Sequence, residues 1–326
     1  MVHDQSGQDA EVHHVNILVS MNSTQRPPTL DPLAVEHWQR KAPGVTPWLH
    51  EEVARRMLDR LQWIKLQPAV WAHWGAVRGG LQTHAALLKQ YARAQCHVIE
   101  SSERLNTLAR EALVPPGWKK MLQLLPGGAS FTRFDAPAPS SVNMLWANMA
   151  LHEAADPQAL LAAWHRLLAV EGFVMFSCLG PDTARELRDL YASLGWPPAG
   201  HQLTDMHDWG DMLVQTGFAE PVMDMERITL TYETPARLLQ ELTALGRNFH
   251  PQRFAALRGR QWKARLEQLI GERCPRASDG RLSLTFEVIY GHALKARPKI
   301  KVSALSAVSV EDMRSMLQGQ RGPAGL

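Results

Sequence analysis

Ala69-Val70-Trp71-Ala72-His73-Trp74-Gly75-Ala76-Val77-Arg78-Gly79-Gly80, with Cys96-His97-Val98-Ile99-Glu100 behind it, is the stretch on which the fold turns. A short apolar run ends in a turn carrying Gly75, Gly79 and Gly80, and the helical period resumes from Leu81 to about Arg93. The next apolar run ends on an acid. Glycine lets a backbone approach a ligand closely, and the helix that follows offers free N–H groups. An acid about 20 residues beyond such a turn sits where it can accept both hydroxyls of a ribose. Glu100 follows Gly79 at about that spacing, which points to a cofactor containing a nucleoside. On these residues alone a plain turn followed by a solvated glutamate is an equal reading.

The alternation continues downstream. Ser101-Ser102 offers an N-cap for a helix to about Glu111. Met121–Leu125 and Val142–Ala147 read as the third and fourth strands, and Gly172–Cys178 as the fifth. Between the last two, Asp156-Pro157 opens a helix with Leu160, Leu161, Trp164, Leu167 and Leu168 on one face. Helical period returns at 181–193 and 206–217, and strand-like runs at 222–232 and 282–290. Upstream, Trp48, Leu49, Val53, Met57 and Leu61 predict an amphipathic helix to about Trp63. Strands alternating with helices of this length predict an α/β, doubly wound, parallel sheet, with ligands outside the carboxyl ends of its strands. The expected division is a disordered or weakly ordered tail over 1–44, one domain over 45–295 with a helical cap at about 235–272, and a C-terminal tail over 296–326 with one helix at 310–318. Met21 is a candidate start within the polar first segment.

A chain of 326 residues that is 45% apolar and 21% charged can bury a large core. A net charge of +3 does not suggest a nucleic-acid binder. No apolar run is long enough for a membrane span, and the first residues carry acids where a signal peptide needs a basic region. Cys96, Cys178 and Cys274 are odd in number and far apart, so a reducing, cytoplasmic setting is expected. No metal is expected: His50-Glu51 lacks a second histidine, and Asp205, beside His207 and Asp208, is read as a helix cap.

Several longer stretches are specific. They are Trp48–Met57 (WLHEEVARRM), Ala147–His152 (ANMALH), Phe176–Arg188 (FSCLGPDTARELR), Asp205–Glu226 (DMHDWGDMLVQTGFAEPVMDME) with Leu230-Thr231-Tyr232, and Phe286–Ala293 (FEVIYGHA). Together they resemble the malonyl-acyl-carrier-protein O-methyltransferases of biotin synthesis, class I S-adenosylmethionine-dependent methyltransferases. The resemblance spans roughly residues 45–293. It implies a seven-stranded, mostly parallel, Rossmann-like sheet with a helical insertion. It also implies methyl transfer from S-adenosylmethionine to the free carboxylate of a malonyl thioester on acyl carrier protein. It places Gly75 and Gly79 in the first cofactor motif, Glu100 on the ribose, and Asn148, Met149 and Ala150 along the cofactor site.

Two positions depart from the family pattern. His73 stands where the family has an acid, and Val77 stands where it has a glycine. The Val77 side chain is therefore expected to crowd the cofactor, and Val77→Gly with His73→Asp to improve binding. An alternative function follows, a catalytically degenerate relative that serves as a binding or regulatory partner. Arg247, Arg253, Arg258, Arg260, Lys263 and Arg265 occur with no acid among them. By itself such a run is a solvated basic face. With the resemblance, Arg258, Arg260 and Lys263 become candidates for binding an acidic carrier protein.

Overall fold

The computed structural model describes residues 30–114 and 132–297. The tail expected before residue 30, the strand expected at Met121–Leu125 and the helix expected at 310–318 lie outside the described residues.

The strands are β1 (Val70–Trp74), β2 (Gln95–Ile99), β3 (Thr132–Arg133), β4 (Val142–Ala147), β5 (Leu168–Leu179), β6 (Phe218–Tyr232) and β7 (Leu282–Lys295). They form one seven-stranded sheet in the order β3-β2-β1-β4-β5-β7-β6. The first five run parallel, and β7 is antiparallel to both of its neighbours. The central strands are buried on both faces, which is why they read as unbroken apolar runs. Successive side chains go to opposite layers. Trp71, Met144 and Trp146 enter one core, while Ala72, Leu145 and Ala147 enter the other. The chain leaves β1 toward β2 on one side and returns to β4 on the other. The order reverses between β1 and β4, and a ligand crevice belongs at their carboxyl ends.

On one face lie α2 (Trp48–Arg60), α4 (Leu81–Gln90) and α5 (Glu103–Leu113), and on the other α6 (Pro157–Leu167) and α8 (Met206–Thr216). Asp205 caps α8 as expected, its carboxylate accepting the His207 and Asp208 N–H groups. All three cysteines are buried thiols. No helix among the described residues is long and apolar enough to cross a membrane.

Two expectations are corrected. Ordered structure begins well before Pro47. Helix α1 (Pro32–Lys41) lies inside the stretch assigned to the tail, capped by Asp31, whose carboxylate accepts Leu33 N–H at 2.9 Å. Its Val35 and Trp38 pack with Leu30, Ala42 and Phe249 in a small separate core. The cap at 235–272 is not helical throughout. It consists of α9 (Pro235–Leu245) and α10 (Arg260–Arg273) joined by an irregular segment, 246–259. The segment is held to α1 by the Arg253–Asp31 ion pair at 2.7 Å. The remaining helices are the single turn α3 (Ala76–Gly79) and α7 (Arg185–Ser193).

Candidate active site

The turn after β1 is built around Gly75, whose φ of +70° is open to glycine and strained for other residues. From Ala76 to Gly79 the backbone is helical, so Val77 needs no special conformation. Its N–H donates to Glu100 Oε1 at 2.8 Å, and its side chain, 1% exposed, points into the core. The crowding expected from Val77 is not observed. Val77→Gly should therefore destabilise the protein by about 3 kcal/mol, from a vacated core site and a glycine in a helix. It should leave cofactor affinity no better. Urea denaturation beside calorimetric titration checks both, and tighter binding would restore the crowding argument.

His73 also departs from expectation. It is fully buried, with Nδ1 3.0 Å from Nδ1 of His84 on α4. Burial holds the His73 pKa well below its usual value, and that of His84 down to about 4. Both rings are neutral, and one of them donates Nδ1–H to the other. His73 supports the turn from beneath and does not reach the ligand crevice. A Cβ on Gly79 would come within 3.4 Å of His73 Nε2 and 3.2 Å of the Asn148 carbonyl, so glycine here permits a close approach. An aspartate in place of His73 would be a buried carboxylate facing a neutral ring, so the expected gain from that change is withdrawn as well.

The other six named residues meet. Gly75, Gly79, Glu100, Asn148, Met149 and Ala150 line one cleft of about 480 Å³ at the ends of β1, β2 and β4. Burial pushes the Glu100 pKa up to about 7, against the Val77 and Ala76 N–H groups that favour its charged form. Asn148 locks three elements. Its Nδ2 donates to the His50 carbonyl at 2.8 Å and to the Gly79 carbonyl, and its Oδ1 accepts Ser177 Oγ–H at 2.6 Å. Met149 has φ +55°, a strained value fixed by its N–H donating to the Ser177 carbonyl at 3.0 Å.

A second cavity of about 300 Å³ adjoins the first, and His50 and Glu153 line both. Its walls are largely apolar, with Leu187, Leu239 and Leu242 among them, but Arg188 and Arg247 also face it. His50 donates Nδ1–H to the Arg78 carbonyl at 2.9 Å, and burial lowers its pKa to about 3. His152 accepts Leu179 N–H on Nδ1 at 3.3 Å, and burial keeps it neutral too. Burial pushes Glu153 up to about 7, while Arg78 and the Trp38 Nε1–H pull the other way. Arg78 and Arg247 each lie 4.9 Å from the Trp38 ring. Arg188 is held by a bond from its guanidinium to the Pro181 carbonyl.

Comparison with known proteins bears on this arrangement. A family model described as a methyltransferase domain matches residues 76–176, from the glycine turn into β5. A malonyl-acyl-carrier-protein O-methyltransferase of Gallionella capsiferriformans is 40% identical over 257 residues, covering 77% of this chain and 86% of that protein. One of Laribacter hongkongensis is 37% identical over 260 residues, covering 78% and 86%. The chain belongs to the malonyl-acyl-carrier-protein O-methyltransferase family. A crystal structure of a Bacillus halodurans C-125 protein assigned as a methyltransferase superposes with a TM-score of 0.51 at 14% identity. It covers 76% of this chain and all of that one, a likeness that speaks for the fold alone.

As a member of the malonyl-acyl-carrier-protein O-methyltransferase family the protein uses S-adenosylmethionine, and the first cleft fits that cofactor. Gly75 leaves nothing within 4 Å of where its Cβ would be, and Glu100 presents a carboxylate to the cleft. The size is within the range of small-molecule sites. The three basic residues singled out from the sequence, Arg258, Arg260 and Lys263, lie elsewhere, on the irregular segment and α10. Arg258 is enclosed by aromatic rings, Arg260 is exposed, and Lys263 lies 3.6 Å from Glu267. The run is not one solvated face, since Arg247 turns inward and Arg253 pairs with Asp31. Sequence reading missed His50, Arg78, His152, Glu153 and Arg188 as lining residues, and named Arg247 only as part of the basic run. His50, His152 and Arg188 lie within stretches quoted above for the resemblance, which was the available signal.

Proposed function

We propose that the protein methylates the free carboxylate of a malonyl thioester presented by an acyl carrier protein, in biotin synthesis. One observation carries this reading: a cleft suited to a nucleoside cofactor shares two wall residues, His50 and Glu153, with a largely apolar cavity bearing two arginines. S-adenosylmethionine supplies, when bound, a methyl group already activated on sulfur. Glu100 accepts the ribose hydroxyls, and Gly75 and Gly79 let the turn close on the ligand. Arg247 and Arg188 receive the substrate carboxylate. That carboxylate is ionised at neutral pH, so no general base is needed. His50 and His152, kept neutral by burial, add no positive charge where the two cavities join. The remaining work is alignment and exclusion of water. Helix α1, with Pro32 and Gln39 in the cleft wall, contributes to that exclusion.

The degenerate reading loses its basis, because His73 and Val77 lie beneath the turn rather than in the cleft. The test is incubation of the protein with S-adenosylmethionine and malonyl-acyl-carrier protein, read by mass spectrometry. The expected product is the methyl ester, with no methylation of the acetyl thioester, which lacks a free carboxylate. A protein that binds the cofactor and its product yet methylates no malonyl thioester would return the regulatory reading to first place.

A further inference from the structure

Arg258 has an unusual setting. Its guanidinium carbon lies 4.0 Å from the Trp262 ring centre, 4.4 Å from Phe254, and 5.9 Å from both Tyr191 and Trp196. The rings come from α7, the turn after it, the irregular segment and α10. Three of them also pack on one another, with Tyr191 and Trp196 meeting edge-to-face at 5.2 Å. Among the described residues no carboxylate pairs with Arg258, whereas Arg253 pairs with Asp31, Arg237 with Glu241 and Lys263 with Glu267. Burial raises the pKa of the neighbouring Tyr191 hydroxyl, and the charge of Arg258 pulls it back down. Aromatic faces stabilise a cation without neutralising it, and they leave the N–H edge of a guanidinium open in its own plane.

Position gives this cation a use. Tyr191 belongs both to the aromatic enclosure and to the wall of the second cavity. The same segment places Leu257 fully exposed and Phe254 47% exposed beside it, and Arg260 is exposed on the first turn of α10. The second cavity is about 300 Å³, room for the acyl group and the start of its thioester arm. An arm that leaves the cavity on the Tyr191 side passes this rim. The arm of an acyl carrier protein is phosphopantetheine, joined to the carrier through a phosphodiester anion. We infer that Arg258 is a phosphodiester-binding residue, held ready by its four rings to receive the prosthetic arm of the carrier at the rim of the acyl cavity. This rests on the proposed function for the identity of the arm. Planar, bidentate recognition of a phosphate is what a guanidinium does better than an ammonium.

The experiment compares malonyl-phosphopantetheine with malonyl-pantetheine, which differ only in the phosphate. Binding is measured by calorimetry and transfer by mass spectrometry, on wild type, Arg258→Met and Arg258→Lys. Wild type is expected to bind the phosphorylated compound about tenfold more tightly, the scale of a charge-assisted hydrogen bond. Arg258→Met, whose unbranched chain still fills the enclosure, is expected to abolish that gap and leave malonyl-pantetheine unchanged. Arg258→Lys should keep part of it. Equal losses on both compounds would show that Arg258 only holds the segment in place, and equal wild-type affinities would show that no phosphate is read. Either result overturns the inference. The binding comparison needs no turnover, so a failure of the proposed methyl transfer shows separately, as binding without product.

Discussion

Glu100→Ala is expected to weaken binding of S-adenosylhomocysteine at least a hundredfold. Two ribose hydroxyls on one carboxylate make two charge-assisted hydrogen bonds, together about 3 kcal/mol or more, and no neighbouring side chain can replace them. The fold should survive, because this carboxylate is itself uncomfortable. Burial lifts its pKa from an ordinary 4.5 to about 7. The sign follows from that direction. A group whose folded pKa is raised gives its full stability below the unfolded value, and that stability is lost as pH rises through 7. The Tm difference between Glu100→Ala and wild type should therefore shift in favour of the variant between pH 5 and pH 8. Product affinity in the wild type should move the other way, rising over the same interval as the acceptor ionises. Glu153 sits in the same cleft with a pKa in the same range, so a control is required. Glu100→Gln should flatten the pH dependence; if it stays steep, Glu153 is the titrating group.

Arg247→Ala should lower kcat/KM for the malonyl thioester by at least a hundredfold, while S-adenosylhomocysteine affinity stays within a few-fold. The scale is that of a guanidinium–carboxylate contact in a largely apolar cavity. Arg247 is anchored through its Nη1 to the Thr243 and Gly246 carbonyls at the end of α9, so its charge is displayed rather than spent on an acid. Burial lowers its pKa, as expected for a cation waiting on an anion. Arg188 lines the same cavity. Should Arg247→Ala retain activity and Arg188→Ala lose it, Arg188 alone receives the carboxylate and the shared role proposed for Arg247 falls.

The sheet could be read from the sequence because its central strands are buried on both sides and so appear as plain apolar runs. Val142–Ala147 falls on the expected residues, and the helix at Pro157 starts where Asp156 caps it. Helix α1 carries the same Asp-Pro start at Asp31-Pro32, yet only Val35 and Trp38 are buried in it. Two apolar contacts in ten residues gave too little period to stand out from a polar segment. The cleft that Gly75, Gly79 and Glu100 line was readable because glycine turn and acid are local to one strand–helix–strand unit. Val77 was misjudged for a related reason: a motif fixes position along the chain but not which way a side chain points. The arginines could not be found that way. Arg78, Arg188 and Arg247 come from three distant segments, and only folding brings them to the walls of the two cavities.

The Trp38 ring is in contact with both Arg78 of the first cleft and Arg247 of the second cavity. The two guanidiniums already sense each other. The Arg78 pKa is lowered first by burial, and the charge of Arg247 pushes it down further against the pull of Glu153. A carboxylate that neutralises Arg247 should relieve that pressure on Arg78, and the expected result is a coupling between the acyl substrate and the cofactor. Linkage is symmetric: whatever factor the acyl substrate applies to cofactor affinity, the cofactor must return to the acyl substrate. Titrating S-adenosylhomocysteine with and without a malonyl thioester reads that factor, and a factor of one would mean that the two compartments fill independently.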